Sequence, residues 1–523
     1  MRDSATRERL TTWGAAGVMI VFTGIFFVDG IYKPRFVSVD AWSYLELSGT
    51  VFRDFYHTNT QRQFEVHTPY STAFPPLWPV MFGVARMIVD LGVYTSHLLN
   101  FCICIGLLFA LIAFAQRLGR PGAIGAAAYL LLWSLGGFAG DAIGGGSCPL
   151  AILLLVAALT VLEVERPTLA RVAVYGALCA FMVLTRFDTL IAAFVLVCYG
   201  AIRYAGGIKN LAAVLKGLVA CGTTALVFLS PWMAYCASHF GKPFASDNVR
   251  QLYSAKPTSV LDYHAVEPPR DLLINPLHWA AQLATRKAPE TLKVVAIELY
   301  NSYLPALVVI LCLVWSNARP QLRPADKSFL WIVALLVPLL VLPSVLVGYA
   351  GGRYFAAALL LVGLGLLIVL DAQGSLSWRR PIFLLALIIA ATPIVHRGAL
   401  KSLFSLRAKW TDPASTMEAR TPPPEFQALT DAVHGDAKGS PHRLLFGRSR
   451  KHPNTNGARY GALTGEPTSL MPYQLEGHFG KFISEWGITH VYDPAGTVAD
   501  LKADDVEFTP LNYPQLFRVI RKQ

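Results

Sequence analysis

Val37-Ser-Val-Asp40-Ala-Trp-Ser-Tyr44-Leu-Glu46, followed by Ser71-Thr-Ala-Phe-Pro75-Pro76-Leu-Trp-Pro79, is the stretch on which the reading of this chain turns. It lies directly after the first apolar run (about residues 12–31). An acidic residue opens an amphipathic segment where an apolar helix meets water. A Pro-Pro-aromatic turn then leads the chain back towards apolar sequence. Proline fixes φ and removes a backbone donor, so the turn ends one element and presets the angle of the next.

Working outward, the 523 residues are 54% hydrophobic and 15% charged, with mean hydropathy +0.46. A soluble chain carries roughly 25% charged residues. The deficit sits in long apolar runs, which predicts a polytopic α-helical membrane protein. Eleven spans are expected, at about 12–31, 97–117, 121–139, 148–164, 171–186, 188–205, 211–234, 297–316, 328–348, 354–371 and 381–397. The first run lacks a small-residue cleavage site and reads as a retained signal anchor. Residues 76–92 are apolar too, but Arg86 and Asp90 and the charge pattern of later loops predict an interfacial helix there.

The net charge of +12 does not point to nucleic acid, because many basic residues fall in short loops between apolar runs. Arg2, Arg7 and Arg9, then Arg117 and Arg120, Arg166 and Arg171, Arg203, Lys209 and Lys216, Arg319, Arg323 and Lys327, and Arg379 and Arg380 share one side if the N-terminus is cytoplasmic. The long loops 32–96 and 235–296 and the tail then face outward. The expected organisation is a membrane domain over 1–397 and a soluble α/β domain over 398–523. Within the tail, a helix is expected at Glu425–His434, a strand at Arg443–Phe446, an amphipathic helix at Tyr473–Trp486, and strands at Ile488–Tyr492 and Phe517–Ile520. The eight cysteines lie in or near apolar runs and read as small packing residues.

Charged groups at span boundaries are candidate functional residues. Asp40 is placed to take a proton from a water-soluble acceptor; as an Asp before a helical segment it also suits an N-cap, and the two roles are compatible. Tyr44, one turn on, shares its face. Asp141 sits in Gly136-Gly-Phe-Ala-Gly-Asp141-Ala-Ile-Gly-Gly-Gly146, either a site loop or a surface turn. Arg186 and Asp188 lie between two spans, as a local ion pair or with Arg186 as a phosphate ligand. Arg353-Tyr354 begins a late span and is the stronger phosphate candidate; the alternative is an arginine that snorkels beside an interfacial tyrosine.

The early loop aspartate, the following tyrosine, the Pro-Pro-Leu-aromatic turn, the late Arg-Tyr pair and the soluble tail together resemble the GT-C superfamily of integral-membrane glycosyltransferases, along the whole chain. The bacterial branch of aminoarabinose and mannosyl transferases is the most similar. The resemblance implies inverting transfer from a polyprenyl-phosphate sugar to a cell-envelope glycan, lipid or protein. The enzyme would sit in the bacterial inner membrane with its site at the outer face. It implies Asp40 as general base with Asp141 as a second acid. Tyr44, Arg186, Asp188, Arg353 and Tyr354 would be the substrate-binding residues. Some members bind a divalent cation in the outer loops, where this chain has His57, Glu65, His67 and His239; the spacing is not a recognised ligand pattern, which leaves a divalent metal as the one cofactor the resemblance allows. Two positions depart from the lipid-A-modifying relatives: Ala73-Phe74 replaces a charged pair before the prolines, and Ser43 replaces a basic residue. A transporter or flippase of lipid-linked sugar is the rival reading, and the absence of an obvious repeat argues against it; a non-catalytic export subunit is a weaker third.

Overall fold

The computed structural model describes residues 2–31, 37–61, 70–162, 167–246, 275–282 with scattered positions to 296, 321–347, 352–372, 421–447, 455–471, 479–494, 496 and 506–522. Among the described residues, six helices are long and apolar enough to cross a membrane: Leu10–Val28 within α1 (Arg2–Ile31), α4 (Tyr94–Arg117), Phe187–Ala205 including α9 (Leu190–Ala205), α10 (Leu211–Phe240), most of α12 (Pro324–Val347), and α13 (Gly352–Ala372). Shorter apolar helices lie between them, α7 (Cys148–Leu162) and α8 (Leu169–Thr185). A short helix, α11 (Pro276–Gln282), follows α10. The expected spans 297–316 and 381–397 lie outside the described residues.

The third expected span is not a straight crossing. α5 (Gly122–Ser134) stops where Leu135 turns extended (φ −76°, ψ 111°), and α6 (Gly136–Ile143) departs at 84°. Gly136 and Gly137, weak helix formers, follow the break. The break places α6 across the end of the bundle. Residues 76–92 form α3 (Leu77–Ile88), twelve residues, so about 18 Å long and too short to span. It buries Trp78 and Phe82 and exposes Val84, Met87 and Ile88, the profile of an interfacial helix.

An aromatic cluster of Phe22, Phe26, Phe27, Phe101, Trp133 and Phe138 fills the space between α1, α4, α5 and α6. At the end of the bundle away from α6, buried Arg120 pairs with buried Asp326 (Nε–Oδ1 3.1 Å) and with Asp371 (2.8 Å). This ties the α4–α5 turn to both α12 and α13. Removing one member of such a buried set typically costs about 3–5 kcal/mol, because it strands the remaining charge.

The tail is α/β. A six-stranded sheet runs β1-β3-β2-β4-β6-β5, with β1 (Thr60–Gln61), β2 (Leu444–Phe446), β3 (Thr468–Leu470), β4 (His490–Tyr492), β5 (Val506–Pro510) and β6 (Leu516–Arg521). The first four strands in that order are parallel; β6 and β5 are antiparallel. Alternation of side chains puts Leu445 and Val491 on one face with α16 (Phe479–Glu485), Trp486 and Ile488. Leu444 and Phe446 face the other way, against α14 (Pro424–Ala437) and Tyr460 of α15 (Thr455–Thr464). The expected helix at 425–434 and the strands near 443–446, 488–492 and 517–520 are all present. The expected helix at 473–486 is described only over Phe479–Glu485. The edge strand β1 comes from the first loop, not from the tail: Thr60 pairs with Thr468 and Gln61 with Ser469. Loop and tail therefore lie on the same face of the bundle. Asn59 strengthens the join, its Nδ2 donating to the Gly465 carbonyl (2.9 Å) and its carbonyl accepting from Thr468 N (3.1 Å).

Candidate active site

α2 (Val39–Thr50) starts at Ser38, whose extended backbone (φ −72°, ψ 157°) and hydroxyl accepting from Ala41 N (3.0 Å) make it the N-cap. Asp40 is therefore not the cap. It lies in the first turn, where the helix dipole favours a carboxylate, and its charge is left for other partners. Ser38 N and Oγ both donate to the Gly144 carbonyl (3.1 and 3.0 Å), which staples the start of α2 to the end of α6. One turn on, Tyr44 is buried, donates to Ser147 Oγ (3.4 Å) and packs edge-on against Phe74 (4.7 Å). Burial pushes its phenol above the ordinary value, and the Asp40 carboxylate adds to this. Tyr56 donates to the Pro75 carbonyl (2.8 Å) and so locks the Pro-Pro turn against Tyr44.

Asp141 sits on α6, 5% exposed, and is not part of a surface turn. Its Oδ2 accepts from Cys148 N (2.9 Å), satisfying one of the free donors at the start of α7. Asn100 holds the loop by donating from Nδ2 to the Ala142 and Gly146 carbonyls (both 2.9 Å). Gly146 is required by space, since a Cβ there would overlap the Asp141 carboxylate.

Arg353, the second residue of α13, joins these parts. Its Nη1 donates to Asp40 Oδ2 (2.6 Å) and to Asp141 Oδ1 (3.0 Å). One guanidinium nitrogen thus bridges two carboxylates from separate elements. Gly137 lets α6 approach the Gly352–Arg353 backbone so closely that a Cβ would collide with it. Arg186 forms a bidentate pair with Asp188 (2.8–3.2 Å) and lies over the Tyr354 ring at 4.7 Å. Arg353 lies over the same ring at 5.2 Å. Tyr354 is a shared aromatic seat for two cations.

Between them lies a small, partly open pocket with a cavity volume of only about 20 Å³. Arg186, Asp188, Arg353 and Tyr354 form its polar part; Ile152, Leu155, Met182, Leu340 and Ala357 line the rest. Six of the seven expected site residues, all but Tyr44, are thus linked through Arg353 and Tyr354. Tyr44 lies beside them but is directed at Ser147. Sequence reasoning missed Ser38, Ser147 and Gly137; the Ser-Val-Asp order was a capping signal for Ser38.

Of the loop residues with metal-ligand chemistry, Glu65 and His67 lie outside the described residues. His57 and His239 both meet the Tyr70 ring, at 6.0 and 4.0 Å between centroids.

No family model and no curated protein matches the sequence. Among solved structures, the fold is similar to that of ArnT from Cupriavidus metallidurans, whose crystal structure is bound to undecaprenyl phosphate. The TM-score is 0.50 and the identity 13%, over 96% of this chain and 97% of that one. The architecture expected from the sequence, apolar membrane helices followed by a C-terminal α/β layer, is the one found, and its fold is like that of ArnT.

Proposed function

We propose that the protein transfers a sugar from a polyprenyl-phosphate donor to an acceptor of the cell envelope, a glycan, lipid or protein, with inversion, at the outer face of a bacterial inner membrane. The observation that carries this reading is the pair of guanidiniums on Tyr354, beside a small pocket with apolar walls and next to two carboxylates. The C. metallidurans structure, with undecaprenyl phosphate bound, supports the same class of donor.

Such a reaction asks three things of a protein: a base for the acceptor hydroxyl, compensation for the phosphate that leaves, and alignment. Arg353 and Arg186 are suited to the phosphate, since the guanidinium fork matches its oxygens. The apolar side chains beside the pocket, Ile152, Leu155, Met182, Leu340 and Ala357, would have to part to seat the first isoprenoid units. Asp40 is the base. It takes the proton of the acceptor hydroxyl as that oxygen bonds to the anomeric carbon and the carbon–phosphate-oxygen bond breaks; the electron pair of that bond leaves on the polyprenyl phosphate. Asp40 shares Arg353 Nη1 with Asp141. A donor phosphate that draws Arg353 towards itself releases Asp40, so the base becomes available when the donor is in place. Asp141, less exposed and held by Cys148 N, remains as the fixed partner that aims Arg353.

The test is transfer by purified protein from defined polyprenyl-phosphate sugars, with the product's anomeric configuration read by NMR. Inverted product is expected. Donor binding without transfer to any acceptor class would refute the reading and favour transport.

A further inference from the structure

The tail carries a second cluster, far in sequence from the pocket residues and unused by the reaction above. His434 lies in the last turn of α14. Lys438 (φ 48°) and Gly439 (φ +80°) then reverse the chain through two left-handed residues. His442 is thereby returned beside His434, with ring centroids 4.9 Å apart. Glu466 follows Gly465, another left-handed residue, in the turn from α15 to β3. Its backbone is pinned by Thr468 Oγ1 donating to its carbonyl (2.8 Å). His434 Nε2 lies 3.1 Å and His442 Nε2 2.9 Å from one oxygen, Glu466 Oε2.

We infer that His434, His442 and Glu466 form a binding site for a divalent cation of the zinc type. The three candidate donor atoms, one from each residue, lie within 4.8 Å of one another. Zinc–nitrogen and zinc–oxygen bonds of about 2.0–2.2 Å at tetrahedral angles put neighbouring ligand atoms about 3.3–3.5 Å apart. The two observed nitrogen–oxygen separations need to open by only a few tenths of an ångström. Two imidazoles and a carboxylate are a donor set that suits zinc and leaves a fourth position. His434 is half exposed, so that position is open to solvent or to a ligand. His490, 6.4 Å from the His442 ring, is engaged by Asp436 (3.0 Å) and stays outside the set.

The cation would tie the end of α14 to the turn before β3. That turn includes Gly465, whose carbonyl receives Asn59 from the first loop. The site therefore bears on the seam between loop and tail.

The experiment uses the full-length protein in detergent, stripped with a chelator and titrated with zinc chloride against a competing chromophoric chelator. One zinc per chain is expected that the His434→Ala/His442→Ala double variant does not bind. Glu466→Gln is expected to weaken binding by more than the ~10–100-fold lost when an outer-shell partner is removed. Zinc-edge X-ray absorption of the loaded wild type is expected to show two imidazoles and an oxygen ligand. Equal zinc binding by wild type and Glu466→Gln, no zinc bound by the wild type, or an absorption spectrum without imidazole each overturns the site, whether or not the double variant folds.

Discussion

Asp40→Asn separates a catalytic carboxylate from a structural one. Ser38, not Asp40, caps α2, so the substitution leaves the cap intact. Asparagine matches aspartate in size, and its amide oxygen can still accept from Arg353 Nη1 in place of the charged contact at 2.6 Å. The side chains are 15% and 25% exposed, and Asp141 keeps its own bond to Arg353. The loss in stability is then at most that of one charge-assisted hydrogen bond, below about 3 kcal/mol. The loss in turnover is that of a general base, ~10²–10⁴-fold, or about 2.7–5.5 kcal/mol of transition-state stabilisation. The two costs fall on different observables. Steady-state transfer from a synthetic donor reads the second, and thermal unfolding reads the first. Equilibrium donor binding supplies a third readout: with Asp40 neutral, Arg353 has one anion fewer competing for it, so donor affinity is expected to hold or rise while kcat collapses. Near-normal turnover in Asp40→Asn, or a fall in donor affinity that accounts for the whole loss, would refute the reasoning and move the base to Asp141.

Arg353→Ala is expected to weaken donor binding and to leave Asp40 and Asp141 without their shared cation; Arg353→Lys recovers part of the affinity, because a single ammonium cannot make the forked contact, and unchanged donor affinity in the alanine variant would assign the phosphate to Arg186. Gly146→Ala drives a methyl into the Asp141 carboxylate; it is expected to cost about 1–3 kcal/mol in stability, as overpacked sites do, and to lower transfer further by moving Asp141 off Arg353, both measured on the purified variant. In the tail, the Arg518 hydrogen bond holds the Asp436 carboxyl below its ordinary value. Its contribution to stability is therefore complete above the unfolded-state pKa and is lost as pH falls through the lower folded-state value. Acid titration followed by fluorescence of buried Trp486 is expected to show the tail opening at higher pH in Arg518→Ala than in the wild type. For orientation, in a background with the native cysteines replaced, an impermeant thiol reagent applied from outside is expected to label Ser440→Cys and to spare Lys209→Cys; labelling of both would break the assignment of sides.

How much was legible follows from the range of the forces involved. The apolar runs announce themselves locally, and so do the glycines before Arg353, which mark an Arg-Tyr pair at the head of a span. Asp40 was found for the same reason, because it stands where apolar sequence ends. Its partner on the helix was misassigned: capping depends on one residue's backbone angles, and Ser38 and Asp40 are both good formers. The glycine-rich segment around Asp141 reads as a surface turn or a site with equal ease, and only the packing of Asn100 and Gly137 decides for the buried loop. The bend at Leu135 was hidden because α5 and α6 are together apolar enough for one span. The convergence of Asp40, Asp141 and Arg353 on one nitrogen is a long-range fact with no local trace, as is the meeting of His434, His442 and Glu466. Least legible was β1, two residues long, with its partner supplied from the far end of the chain.

That two-residue strand has a consequence for how the protein is made. Thr60 leaves the ribosome about 400 residues ahead of Thr468, its partner. At ~5–20 residues per second, the wait is about 20–80 s. Throughout this time Thr60 and Gln61 have no sheet to join, and every intervening helix must be inserted first. Once the tail emerges, the β3 edge stays open until the loop arrives, and an open parallel edge invites pairing with another chain. A tail produced alone would keep that edge open permanently. The two segments are thus bound to a single polypeptide by the timing of their synthesis: the later domain finishes folding on a strand made long before it.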